Sequence, residues 1–265
     1  MDRNKQLQLR TEDRFGGLVA WVAIDNPTQL NAVNSALIAD LTTTFATLAA
    51  NDGLRAVVLA GAGDRAFLGG ADITEMAGLN DPLAARAFIT RLHQCCDALR
   101  SIPVPTIARI QGYCFGAGLE LAASCDLRLA SDNARFGMPE VKLGLPSVIA
   151  AALLPSLVGW GRTRQMLLLG EAFGAPEALA AGLVERVVPA PTLDAALDEW
   201  LAELMTSAPR AVRLQKQLIR AWEDLPLRDA IQAGIDSFAT AFETDEPKQA
   251  MAAFLAAQRA RKQRR

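Results

Sequence analysis

The chain has 265 residues, of which 51% are hydrophobic, 21% charged and 6% aromatic, enough for one large domain or two small ones around a sizeable core. With 27 basic and 29 acidic side chains the formal charge is −2 and the pI is near 5.6, which argues against nucleic acid or an anionic membrane surface as the main partner. A single histidine, His93, and four cysteines without C-x-x-C spacing (Cys95, Cys96, Cys114 and Cys125) exclude a multi-histidine metal site and a readable disulfide framework; the thiols are expected to be reduced and buried.

Residues 1–14 are polar and mixed in charge, with no apolar core of a secretion signal, so the cytoplasm is the expected compartment. Residues 17–25 read as a strand ending at the Asn26-Pro27 turn. Leu37, Leu41, Phe45 and Leu48 recur at helical spacing, which predicts an amphipathic helix over 35–50. A β-rich run over 54–60 stops at a glycine turn; 82–100 reads as a second long helix and 105–110 as another strand. The next helix opens near Ala117 and stops before Asp126, and 127–130 resume strand character. Strands separated by helices need crossover connections, hence an α/β architecture with a largely parallel sheet. Beyond Ser147 the sequence is almost entirely helical except for a short strand at 182–188. The most apolar stretch, 145–160, is interrupted by Pro146, Ser147 and Pro155 and is too short to span a bilayer. A soft boundary near 195 divides an α/β core, 1–195, from a helical appendage, 196–265. The appendage closes on Arg259, Arg261, Lys262, Arg264 and Arg265, a run that reads as a solvated helix end.

Several segments carry candidate chemistry. Gly61-Ala62-Gly63-Asp64-Arg65-Ala66 fits G-x-G-x-x-A after a strand, but it runs into Phe67 and a second glycine turn instead of a helix, so a dinucleotide site is not expected. That second turn, Phe67-Leu68-Gly69-Gly70-Ala71-Asp72-Ile73, allows close backbone approach before a short helical turn. Gln111 to Glu120 follows a buried strand and leads into a helix. Its glycines at 112, 116 and 118, with small Ala117, leave backbone N–H groups bare at the helix start, a nest that favours negative charge. Glu120 stands among Leu119, Leu121, Ala122 and Ala123, with Ser124 where an ion-pair partner would stand. A carboxylate buried there unpaired is costly as an ion or takes up a proton, which makes Glu120 a candidate general acid/base. Glu140, its approach stiffened by Pro139, reads by itself as a surface loop acid, with a functional role as the alternative. His93 reads as a partly buried helix residue.

Together these residues resemble the crotonase superfamily, the enoyl-CoA hydratase/isomerase family. The resemblance covers nearly the whole chain in order. It starts with Asn26-Pro27 and Leu30-Asn31-Ala32, then Phe67 to Asp72, then Pro105-Thr106-Ile107-Ala108 leading to Gly112-Tyr113. It continues with Gly116-Ala117-Gly118-Leu119-Glu120-Leu121-Ala122, Cys125-Asp126, Phe136-Gly137-Met138-Pro139-Glu140 and Ala180-Ala181-Gly182-Leu183-Val184. It implies a spiral of ββα units with a C-terminal helical region, assembled as trimers that often stack into hexamers. It implies an acyl-CoA thioester as ligand and an oxyanion hole made by the Ala71 and Ala117 N–H groups. Ala71, Asp72, Ile73 and Thr74 would line the substrate through their backbone, together with Ala117. Both glutamates of the family's hydratases are matched, by Glu120 and Glu140, so the activity implied is hydration of a 2-enoyl-CoA. An isomerase, a thioester hydrolase or a non-catalytic CoA-ester- or RNA-binding member is the alternative. No metal or redox cofactor is implied, coenzyme A being part of the substrate, and no nucleic-acid or membrane partner is expected. Three positions depart from the family pattern. Ala117 stands where many members have Gly, Thr28-Gln29 where many carry a basic residue, and Pro146 to Ala152 where a glycine-rich stretch is common; the last makes the wall behind Glu140 bulkier.

Overall fold

The computed structural model describes residues 6–263; the first five residues of the polar N-terminal stretch, and Arg264 and Arg265 of the basic run, lie outside it. The chain divides into two compact units, the first ending at Leu201 and the second beginning at Ala202.

The first unit opens with a hairpin, β1 (Leu7–Arg14) against β2 (Gly17–Ile24). Its two-residue turn, Phe15-Gly16, has positive φ at both positions, the backbone twist that such hairpins require. Next come α1 (Ser35–Ala49), β3 (Leu54–Gly61), β4 (Ala66–Leu68), α2 (Ile73–Ala77) and α3 (Pro82–Arg100). Asn34 caps α1 by accepting from the Leu37 N–H, and Asp81 caps α3 from Leu83 and Ala84. The chain continues through β5 (Thr106–Ile110), β6 (Tyr113–Phe115), α4 (Ala117–Ala123), β7 (Leu127–Ser131) and β8 (Arg135–Gly137). Two 3-10 turns follow, Glu140–Leu143 and Ile149–Leu153, then α5 (Leu154–Leu169), β9 (Phe173–Gly174), α6 (Ala175–Ala180), β10 (Arg186–Val188) and α7 (Leu193–Thr206). The second unit begins within α7 and carries α8 (Pro209–Trp222), α9 (Leu227–Ala241) and α10 (Glu246–Gln263).

A six-stranded sheet runs β1-β2-β3-β5-β7-β10 and a four-stranded sheet β4-β6-β8-β9. Pairing is parallel in both except for β1 with β2 and β8 with β9. Each of β3, β5 and β7 in the large sheet hands on, after a short turn, to a three-residue strand of the small one (β4, β6, β8), and a helix or 3-10 turn closes the unit. The chain thus winds as a spiral of ββα units. Strands covered on both faces read as near-continuous apolar runs, as β2 and β3 do. One buried face of α1 (Leu37, Leu41, Phe45) packs with the buried stripe of α3 (Phe88, Leu92, Leu99) in a core that also holds Phe67 and Phe136.

Several local expectations are corrected. The polar segment over 7–14, to which the sequence assigns no element, is an edge strand; charged side chains along it suit an edge. The strand expected over 182–188 shrinks to Arg186–Val188. His93 is exposed, not partly buried, because it falls off the stripe of α3 that carries Leu92, Cys95, Cys96 and Leu99. The four cysteines are buried and free. Arg259, Arg261 and Lys262 lie exposed on α10. No helix among the described residues is long and apolar enough to cross a membrane.

Candidate active site

β4 and β6 pair in parallel, with Ala66 opposite Tyr113 and Leu68 opposite Cys114, so the loops leaving them emerge at the same end of the small sheet. The loop after β4 is held on one side by the segment Leu30–Val33. Gly69 N–H donates to Leu30 O (2.7 Å), Val33 N–H to Gly70 O (2.9 Å) and Asp72 N–H to Val33 O (2.9 Å). Buried Asn31 pins that segment in turn: its Nδ2 donates to Ala62 O and Ala66 O, and its Oδ1 accepts from Asn26 N–H. This is the physical content of the Leu-Asn-Ala motif. Asp72 caps α2, its Oδ1 accepting from Thr74 and Glu75, while Ile73 stays 59% exposed. Between these bonds the Ala71 N–H meets no acceptor among the described residues.

The loop after β6 turns on Gly116, at φ 53°, a conformation that disfavours any side chain. Ala117 is the first residue of α4, where an N–H has no partner within the helix, and among the described residues it finds none elsewhere. Helix α4 lies directly on β4: a Cβ at Gly118 would stand 2.3 Å from Leu68 O. The two loops touch through their glycines. A Cβ at Gly116 would sit 4.0 Å from Gly70 Cα, and one at Gly70 would sit 3.4 Å from Phe115 O. Ala71 and Ala117 follow those two glycines immediately, each with an unspent donor.

The acids reach the same ground. Glu120, on α4, is only 5% exposed, and its Oε1 accepts from Ala151 N–H at 3.1 Å. Burial pushes its carboxyl from 4.5 up to about 8; the Ala151 bond opposes the rise and the neighbouring Glu140 carboxylate adds to it. Glu140 opens the 3-10 turn after β8, which pairs in parallel with β6, so residue 140 arrives at the same end of the sheet as residue 117. It is half-buried. Its Oε1 lies 2.7 Å from where a Gly116 Cβ would stand, and its Oε2 accepts from the Ser147 hydroxyl at 2.7 Å.

The structure therefore gathers Ala71, Ala117, Glu120 and Glu140 around the contact between Gly70 and Gly116. The Asp72 carboxylate and the Thr74 N–H are spent on capping α2. Two contributors carry no sequence signal beyond departing from the glycine-rich pattern, namely Ser147 and the Ala151 N–H. They belong to one five-residue segment in which Ile149 adopts φ 44°, an outlier for a β-branched residue.

The buried acid has a consequence for stability. Folded Glu120 keeps its proton up to about pH 8, whereas the unfolded chain releases it near 4.5. Between those values the unfolded state binds fewer protons, so stability falls as pH rises and levels off above pH 8. Glu120→Gln removes this fall. In urea titrations the variant is expected to gain on the wild type, from below pH 4.5 to above pH 8, by on the order of 5 kcal/mol. Parallel pH profiles for the two proteins would contradict the assignment.

The model of the enoyl-CoA hydratase/isomerase family matches residues 14–263. A short-chain-enoyl-CoA hydratase of Clostridium acetobutylicum is 36% identical over 240 residues, spanning 90% of this chain and 92% of its own. The crystal structure of an enoyl-CoA hydratase from Mycobacterium smegmatis superposes with a TM-score of 0.91 at 29% identity, covering 96% of this chain and 97% of that one. An enoyl-CoA hydratase structure from Bacillus anthracis gives 0.90 at 28% identity, again over 96% and 97%. Sequence and three-dimensional similarity both run almost end to end, and on that extent the chain belongs to the enoyl-CoA hydratase/isomerase family of the crotonase superfamily.

Proposed function

We propose that this protein is an enoyl-CoA hydratase, a hydro-lyase that adds water across the double bond of a 2-enoyl-CoA thioester. The observation that carries the reading is the meeting of two unspent backbone donors with two acids in one largely buried place. The Ala71 and Ala117 N–H groups would receive the thioester oxygen. As water adds to the β-carbon, charge accumulates on that oxygen, and prealigned donors favour this enolate-like state over the ground state. Two close carboxyls in such a setting share a proton instead of both ionising, and burial favours the protonated form of Glu120. The water oxygen bonds to the β-carbon, one water proton goes to the ionised member of the pair, and the pair delivers one proton to the α-carbon. Glu120 and Glu140 thus end with the single proton they began with. Coenzyme A enters as part of the substrate, and no further cofactor is invoked.

The working assembly is a homotrimer or hexamer in this reading. Its support is α9, where Leu227, Ile231, Ile235 and Phe238 form an apolar stripe at helical spacing, each more than half exposed; exposed stripes of this kind mark interfaces.

The test is incubation of the purified chain with a panel of 2-enoyl-CoA thioesters under mass detection. The expected product is heavier than its substrate by one water, from a protein whose light-scattering mass is three or six times 28.3 kDa. A product of unchanged mass would move the assignment to isomerisation, and release of free coenzyme A to thioester hydrolysis.

A further inference from the structure

We propose that Ser147 is a positioning residue for Glu140: by donating its hydroxyl to Oε2 it holds Oε1 over Gly116, facing the place where the reactants meet. The inference rests on the hydratase reading and deepens it. Glu140 stands on a single 3-10 turn whose neighbours Val141, Lys142 and Leu143 are all exposed, so its flexible side chain has an open route toward solvent. The Ser147 bond at 2.7 Å closes that route by occupying one carboxylate oxygen. The other oxygen is then directed at Gly116, into space that exists because residue 116 has no Cβ.

The same short segment holds the second acid. Ala151 N–H takes Glu120 Oε1, so Ser147 to Ala151 anchors one oxygen of each carboxyl and leaves the other oxygen of each for chemistry. Ile149, at φ 44° in the middle, is held in a costly conformation that the packing around it must enforce. It packs on the core, and Ala150 and Ala151 beside it are buried. A strap fixed in this way sets the spacing of the two acids. Ser147 does not touch the reacting atoms; it acts through Glu140.

The experiment measures kcat and KM for crotonyl-CoA hydration in Ser147→Ala, Ser147→Gly and Ser147→Thr, and in Ser147→Ala combined with Glu140→Gln. Melting curves establish that each variant is folded, and the glycine variant replaces the alanine one if the latter is not. Removing the hydroxyl is expected to lower kcat about 10- to 100-fold, the range found when the outer groups that orient metal ligands are lost, with KM nearly unchanged. Threonine, which keeps the hydroxyl, is expected to restore most of the activity. On the Glu140→Gln background the loss of Ser147 is expected to add almost nothing, since residues that act as a unit are not additive. Full kcat without the hydroxyl, or the same factor lost in both backgrounds, overturns the positioning role while the hydratase reading stands. A wild-type protein that hydrates no enoyl-CoA overturns that reading itself, and Ser147's role with it.

Discussion

Replacing Glu120 or Glu140 by glutamine is expected to lower kcat for enoyl-CoA hydration by at least ~10²-fold in each case, the contribution typical of a general acid or base. Glutamine is nearly isosteric with glutamate. At position 120 its carbonyl oxygen still accepts from Ala151 N–H, and at position 140 it still accepts from Ser147. What is lost is the ability to take and give a proton. Because the two acids pass one proton between them, the double variant is expected to be scarcely worse than the weaker single one. KM should change little, since neither carboxyl is assigned to hold the coenzyme A portion. Steady-state kinetics on crotonyl-CoA decide the matter. A variant of either acid with undiminished kcat refutes the two-acid mechanism, and a loss confined to Glu120→Gln points to chemistry run by a single acid.

Ala117→Pro is the second large effect, an expected fall in kcat of about 10²- to 10³-fold, as found when one oxyanion donor is removed. Backbone donors are hard to delete without wrecking the fold, but this one lies at the first helical position. Proline is well accepted there, because its φ already suits a helix and the N–H it lacks has no intrahelical partner. The Ala117 N–H serves no acceptor among the described residues, so its removal should leave the fold intact while taking a donor from the site. Ala117→Gly keeps the N–H and is expected to retain most of the activity. Circular dichroism and melting establish the folded state, and kcat is then compared across the three proteins. A folded proline variant with wild-type kcat would remove Ala117 from the mechanism.

The readability of this chain depended on segment length. Helix α1 and helix α3 announce themselves through apolar residues repeated over four or five turns, and β3 through an uninterrupted apolar run. The three-residue strands β4, β6 and β8 are too short to show any period. They take shape only by pairing with one another, which made the second sheet invisible in the amino-acid order. Even β1, eight residues long, alternates too weakly to stand out, because half of its residues are charged, as suits an edge strand. The site divides in the same way. An acid in a helix that is apolar on nearly every face, and glycines ahead of small residues, are local features that mark Glu120, Ala71 and Ala117. Glu140 taken alone resembled any loop acid, and Ser147 and Ala151 were marked only by lying in the stretch that departs from the family's glycine-rich pattern.

By itself, the order of residues determined the alternation of strands and helices, hence the class of fold. It also determined which carboxyl would be expensive to bury and where backbone donors would be left bare, all consequences of neighbours within a few positions. Only the tertiary structure decided that residues 71, 117, 120 and 140 share one place, which oxygen of each acid is anchored, and that Ser147 and Ala151 do the anchoring. The reason is register. Parallel pairing of β4, β6 and β8 brings together loops separated by dozens of residues, and a slip of one position would turn each side chain to the opposite face.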